Sequence, residues 1–283
     1  LTNISGLVLS SLRAIHLGYM SAWLTVAGSL VQLVLVVTLV PRIGLLGLAM
    51  GQLGQHLLMI LFGWPLFLLQ LKKASDYRGS FMPSHMDVAT LREMLGFSIQ
   101  AQFANVTSGL FEPLSKILLG RFAGLEAVGL YEMAFKMVSM PRNSVVSGVH
   151  ATVPAVTRLL ESDLPEARRT FDRVERVIMR STIAILGAVI LASPLVSWLW
   201  LGSIDPMLSV FVAIIAAGFI GNTYGASAYA LGMAAGKLRY NILSGIISLI
   251  LLACLMTTAG IIGEETIMIL GMAIALAIGG IYV

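Results

Sequence analysis

Between Ser21 and Ala259 the chain is cut into apolar stretches, each long enough to cross a bilayer. A hydrocarbon core takes about 20 apolar residues per helix, and lipid offers backbone amides no partner outside the segment. The sequence therefore predicts membrane helices over 21–40, 45–71, 95–119, 128–156, 177–201, 207–233 and 240–259. Partial ones end near Leu12 and fill 266–283. The expected fold class is an all-α polytopic membrane protein with about nine transmembrane helices, two of them truncated. Composition agrees: 58% of residues are hydrophobic, 11% are charged and the mean hydropathy is +0.92. Soluble domains carry about 25% charged residues.

The loops between these stretches alternate in charge. One set holds Arg13, then Lys72, Lys73, Arg78 and Arg92, then Arg158, Arg168, Arg169, Arg173, Arg176 and Arg180, and last Lys237 and Arg239. The other set is short and holds Arg42 and Arg121 with Glu126, Asp205, Glu264 and Glu265. Basic loops stay in the cytoplasm, so the first set is placed inside. Leu1 and Val283 both stand in apolar runs, so an internal piece of a longer, transporter-sized chain is expected. Cys254 is the only cysteine, which excludes a disulfide framework and a Cys-based metal site. The net charge of +4 is spread over loops and does not form a nucleic-acid patch.

Two neighbouring spans carry polar stripes. On the first, Ser98, Gln102, Asn105, Gly109, Glu112 and Lys116 recur every three to four residues. On the second, Gly129, Glu132, Lys136, Ser139, Asn143, Ser147 and His150 do the same. Helical spacing puts each set on one side. Lipid does not solvate such a row, so both stripes are expected to face protein or a water-filled cavity. Just before a later span, Asp163-Leu164-Pro165-Glu166 reads as a helix start. Leu164, Ala167, Phe171, Val174 and Ile178 then oppose Arg168, Arg169, Arg173 and Arg176, as on an amphipathic helix at the inner leaflet.

The chain also repeats itself. Residues 29–35 followed by Gly44-Leu45-Leu46-Gly47 match residues 246–252 followed by Gly260-Ile261-Ile262-Gly263, about 216 residues later. Six spans lie between the copies, so both point the same way across the membrane, as in two parallel six-helix lobes.

Lys116-Ile117-Leu118-Leu119-Gly120-Arg121-Phe122-Ala123-Gly124-Leu125-Glu126-Ala127-Val128-Gly129-Leu130-Tyr131 resembles the "ilGrf-G-eavGlY" signature of polysaccharide-biosynthesis flippases. These are the Wzx-type O-antigen and capsule exporters of the MATE-like (MOP) superfamily. Pro154-Ala155-Val156-Thr157-Arg158-Leu159 is similar to that family's "Pa-srl", and Pro41-Arg42-Ile43-Gly44-Leu45-Leu46-Gly47 to its "P-fGllGa" turn. The resemblance implies a two-lobe helical bundle around a cavity open to one side at a time. It implies residues 1–75 as the end of the N-terminal lobe, with part of helix four and helices five and six. Residues 76–94 become a cytoplasmic inter-lobe linker, and 95–283 the C-terminal lobe from helix seven into helix twelve. Many members carry an acidic residue, often Asp, one turn before the signature; here Glu112 and Lys116 stand nearby.

The resemblance also implies outward flipping of a polyprenyl-diphosphate-linked oligosaccharide for O-antigen, lipopolysaccharide or other surface polysaccharide. The setting would be a bacterial or archaeal cytoplasmic membrane, with a polymerase and a chain-length regulator as partners and no cofactor. Lys136 lies near the bilayer midplane, where a lysine costs about 2.5–3.5 kcal/mol, so a cavity or Glu132 must offset it. It is the first candidate for docking a diphosphate. Arg142, after Pro141, suits phosphate by its bidentate geometry, or reaches the inner headgroups. Glu112 is a candidate coupling acid, and Lys116 either pairs with it or snorkels outward. Gln102, Asn105, Asn143 and His150 could meet sugar hydroxyls or simply bond between helices.

Two other functions compete. A cation-coupled multidrug or metabolite antiporter of the same fold would rest on acidic cavity residues, whereas the spans hold Lys116, Lys136 and Arg142 against Glu112 and Glu132. A membrane enzyme of polysaccharide assembly would commonly need a large outer loop, and the outer loops here are short. No Walker loop, Ser/His/Asp grouping or metal-ligand spacing is recognisable.

Overall fold

Glycine and proline decide where these helices begin and end. In this computed structural model the described residues are 2–14, 18–74, 88–162, 164–234 and 236–282. They fold into α1 (Thr2–Ala14), α2 (Gly18–Ile43), α3 (Leu45–Ala74), α4 (Val88–Gly109), α5 (Phe111–Phe122) and α6 (Gly124–Ser162). The order continues with α7 (Leu164–Leu201), α8 (Pro206–Tyr224), α9 (Ala226–Ala234), α10 (Arg239–Ile262) and α11 (Glu265–Tyr282). No strand occurs among the described residues. By contacts the chain divides into Leu1–Asp87 and Val88–Val283.

Six helices are long and apolar enough to span a membrane among the described residues: α2, α3, α7, α8, α10 and α11. The sequence predicts about nine, and the shortfall has physical causes. The 13 residues of α1 are too few. The expected span over 95–119 is divided at Leu110 into α4 and α5, three residues before Pro113, whose missing N–H cannot bond back to the turn before it. The 12 residues of α5 are again too few, and charges dilute the apolarity of α6. The expected span over 207–233 is likewise interrupted, at Gly225 between α8 and α9. The amphipathic stretch before residue 177 and the span after it are one unbroken helix, α7. Asp163, read as its cap, lies outside the described residues, as do residues 76–87 of the expected linker; α4 already begins at Val88.

In the first unit α2 and α3 form a hairpin around Gly44, which takes a left-handed φ of 60° that a side chain would resist. A Cβ on Gly54 would stand 2.4 Å from a Leu35 methyl, so small residues set how closely the two helices approach. α1 adds a hydrogen bond of 3.0 Å between Ser5 Oγ and His56 Nδ1. In the second unit Gly263 holds the α10–α11 turn at φ 88°. Both copies of the repeat thus fall at hairpins of the same kind. The left-handed glycine is the first of its Gly-x-x-Gly in one copy and the last in the other.

The second unit is built on α8 and α11. Gly218 faces Ala273, Gly221 faces Ala277, and a Cβ on Gly280 would lie 2.3 Å from the Asn222 Cα. This small-residue seam lets backbones approach where lipid supplies no hydrophobic drive between helices. Tyr131, Phe135 and Phe219 stack through the adjoining core with centroids 5.4 Å apart at each step.

Candidate functional site

The α5–α6 hairpin turns at Ala123 and Gly124, where Ala123 N–H donates to the Leu119 carbonyl at 2.8 Å and Gly124 has φ 88°. Counting back from this turn at about 1.5 Å per residue puts Lys116 about 9 Å along, Glu132 about 12 Å, Glu112 about 15 Å and Lys136 about 18 Å. The two carboxylates therefore lie at middle depth, with one ammonium on either side of them along the hairpin. They close into a ring of four ion pairs. Lys116 Nζ bonds Glu112 Oε1 at 2.7 Å and also Glu132, while Lys136 Nζ lies 3.6 Å from Glu112 and 3.7 Å from Glu132.

Two of these pairs lie within one helix, at the i,i+4 spacing the sequence suggests. The other two cross from α5 to α6, which helical spacing alone does not disclose. Lys116 is turned into the ring, so the outward snorkelling considered for it does not occur. The set is neutral, and its members are between 29% and 42% exposed. Lys136 is the most exposed and has the longest pairs.

The stripes lie beside the packed face of their helices and are turned away from it. On α4 and α5 the buried positions are Ala104, Thr107, Phe111, Ser115 and Leu119. Gln102 and Asn105 are exposed, roughly 160° and roughly 100° around the helix from Ala104. On α6, Tyr131, Ala134, Phe135 and Val138 are buried while Asn143 and Ser147 are exposed; Ser139 is the stripe member that packs inward. The His150 side chain lies outside the described residues.

Arg142 stands apart from the ring. Its Nη2 donates to Asn222 Oδ1 at 2.7 Å, its Nε to Thr223 Oγ1 at 3.3 Å and its Nη1 to Asn143 Oδ1 at 3.2 Å. The guanidinium carbon sits 5.5 Å from the centre of the Phe219 ring. Asn222 Nδ2 in turn donates to the Leu276 carbonyl at 3.2 Å, and Thr223 O–H to the Phe219 carbonyl at 2.7 Å. Every acceptor offered to the guanidinium is neutral, and it makes no ion pair among the described residues. The net positive charge of the spans rests here. Arg142 lies about 27 Å from the start of α6 and Thr223 about 26 Å from the start of α8, so both stand near the far limit of a 30 Å core counted from those ends.

Asn222 reads in the sequence as part of a close-packed Gly/Ala helix. It is that, against Gly280, and it is also the best acceptor for Arg142. An amide among small residues was the available signal. Just inward, a hollow of about 530 Å³ is lined by Asp172, Glu175, Arg176 and Met179 of α7 and Tyr224 of α8. Tyr224, like Asn222, is a polar position in that Gly/Ala-rich helix, and nothing in its spacing joins it to α7. Among the described residues no group of His, Cys, Asp and Glu is arranged to hold a metal ion.

Six long apolar helices in an all-helical array define a multi-pass membrane protein, and its fold is MATE-like. A crystal structure of a MATE point mutant superposes with a TM-score of 0.81 at 13% identity, covering 98% of this chain. The chain spans 63% of that structure's length. It belongs to the polysaccharide biosynthesis protein family, whose model matches residues 6–204, a range that includes all three stretches on which the resemblance rests. No curated protein matches its sequence.

Proposed function

We propose that this protein carries a polyprenyl-diphosphate-linked oligosaccharide from the cytoplasmic to the outer leaflet by alternating access, for surface polysaccharide or O-antigen assembly. The observation that supports it most is Arg142: an uncompensated guanidinium near the inner limit of the bilayer core, in a chain of the polysaccharide biosynthesis family. A diphosphate supplies the counter-charge that neutral Asn222 and Thr223 do not, and a guanidinium takes it in bidentate fashion. The ring then forms a neutral polar wall farther along. Lys136, with the longest ion pairs, is the cation that leaves it most readily for a passing phosphate, while Glu112, Glu132 and Lys116 hold the wall and Asn105 and Asn143 offer hydrogen bonds. A bacterial or archaeal cytoplasmic membrane is the setting, with a polymerase and a chain-length regulator taking the product.

The MATE-like fold also suits a cation-coupled antiporter of drugs or metabolites. That reading is weaker, because Glu112 and Glu132 are both engaged by lysines. Proteoliposomes separate the two. Arg142→Ala is expected to lower movement of a fluorescent lipid-linked saccharide at least about tenfold, with the melting profile retained. Unchanged movement in that variant, or sodium- or proton-driven dye efflux without any saccharide movement, would overturn the proposal.

A further inference from the structure

The hollow between α7 and α8 has no part in the phosphate chemistry above. Its chemistry is nevertheless specific. Asp172 and Glu175, one turn apart, present carboxylates; Arg176, which also lines the hollow, donates its Nε to the Asp172 backbone carbonyl at 3.1 Å. Tyr224 offers a ring and a hydroxyl and is 57% exposed. Met179 closes the apolar side. Carboxylates accept from vicinal hydroxyls, guanidinium amines donate to ring and hydroxyl oxygens, and an aromatic face covers the apolar C–H side of a sugar. The volume, about 530 Å³, lies within the roughly 300–1,000 Å³ of small-molecule sites.

Position adds a second argument. Counted from the outer ends of their helices, Tyr224 lies about 27 Å in, Met179 about 33 Å and Asp172 about 44 Å. The hollow therefore runs from the inner edge of a 30 Å core into the headgroup and aqueous layer. Arg142 is at the same depth as its near end and bonds to Thr223, the neighbour of Tyr224. A lipid whose diphosphate sat at Arg142 would place its first sugars at this depth.

We infer that the hollow lined by Asp172, Glu175, Arg176, Met179 and Tyr224 is a saccharide subsite, taking the first one or two sugars of the lipid-linked substrate at the cytoplasmic side. The inference rests on the diphosphate reading of Arg142, yet can fail separately from it. Binding to the protein in detergent would be measured for three probes: a C15 prenyl diphosphate, the same lipid bearing a disaccharide, and the free disaccharide. Tyr224→Leu and the double change Asp172→Asn with Glu175→Gln are expected to weaken the disaccharide-bearing lipid about tenfold and leave the bare diphosphate lipid unchanged. Arg142→Ala is expected to weaken both lipids. Equal weakening of both lipids, or of neither, by the hollow variants would overturn the saccharide subsite. If those variants discriminate while Arg142→Ala leaves both lipids unaffected, the subsite stands and the phosphate assignment falls. Free disaccharide bound by the wild type and lost in Tyr224→Leu would further support it.

Discussion

Single charges in the ring cannot be judged one at a time. Lys116 pairs with both carboxylates, so Lys116→Glu would set three carboxylates against one ammonium in a half-buried place. A loss of about 1–3 kcal/mol in stability is expected, read as a lowered melting temperature in detergent. Reversing all four signs together, with Glu112→Lys, Lys116→Glu, Glu132→Lys and Lys136→Glu, keeps every pair and is expected to recover most of that loss. A quadruple variant no more stable than the single one would show that the ring is not held by these pairings. The residue types and spacing that make the ring are plain in the chain: two Glu and two Lys, each pair four apart. Which Glu meets which Lys across the hairpin is not, because that depends on how far each helix is rotated about its axis.

Between elements, the α8–α11 seam and the Arg142 clamp are mechanically joined. Gly280→Ala would drive a Cβ into the Asn222 backbone, and Asn222 carries both the Arg142 bond and the bond to Leu276. Overpacking of this kind costs about 1–3 kcal/mol. The variant is expected to melt earlier and to bind the prenyl diphosphate less tightly, whereas Gly187→Ala, with open space around it, is expected to change neither. Equal melting and binding in the two variants would separate the seam from the clamp. Helix ends were readable where glycine or proline forces them: Pro113 stands just past the α4–α5 break and Gly44 makes the α2–α3 turn. The break at Gly225 was not readable as such. Its sequence, Tyr224-Gly225-Ala226, carries no proline, and the backbone there passes so near Gly280 that a Cβ on Gly225 would lie 1.9 Å from the Gly280 carbonyl oxygen.

For the whole molecule, the alternation of basic and acidic loops sets an orientation that can be tested directly. In a Cys254→Ser background, Glu126→Cys and Glu264→Cys are expected to react with an impermeant maleimide added outside intact cells, and Arg169→Cys only after the membrane is opened. Labelling of Glu126→Cys and Arg169→Cys from the same side would break the span order. In the expected orientation Arg142 and the α7–α8 hollow lie at the cytoplasmic end, where the proposed transport would begin.

The sequence by itself determined the class and the family. Lipid imposes length, apolarity and loop charge on each segment independently, and a family signature is a run of neighbouring residues. Only the tertiary structure decided which charges cancel and which does not. Lys136, the first candidate from the sequence for docking a diphosphate, is balanced within a ring, while Arg142 faces neutral partners. Those pairings join residues up to 81 positions apart, and their geometry comes from helix rotation and close approach through glycines, neither of which is written in any one stretch of chain.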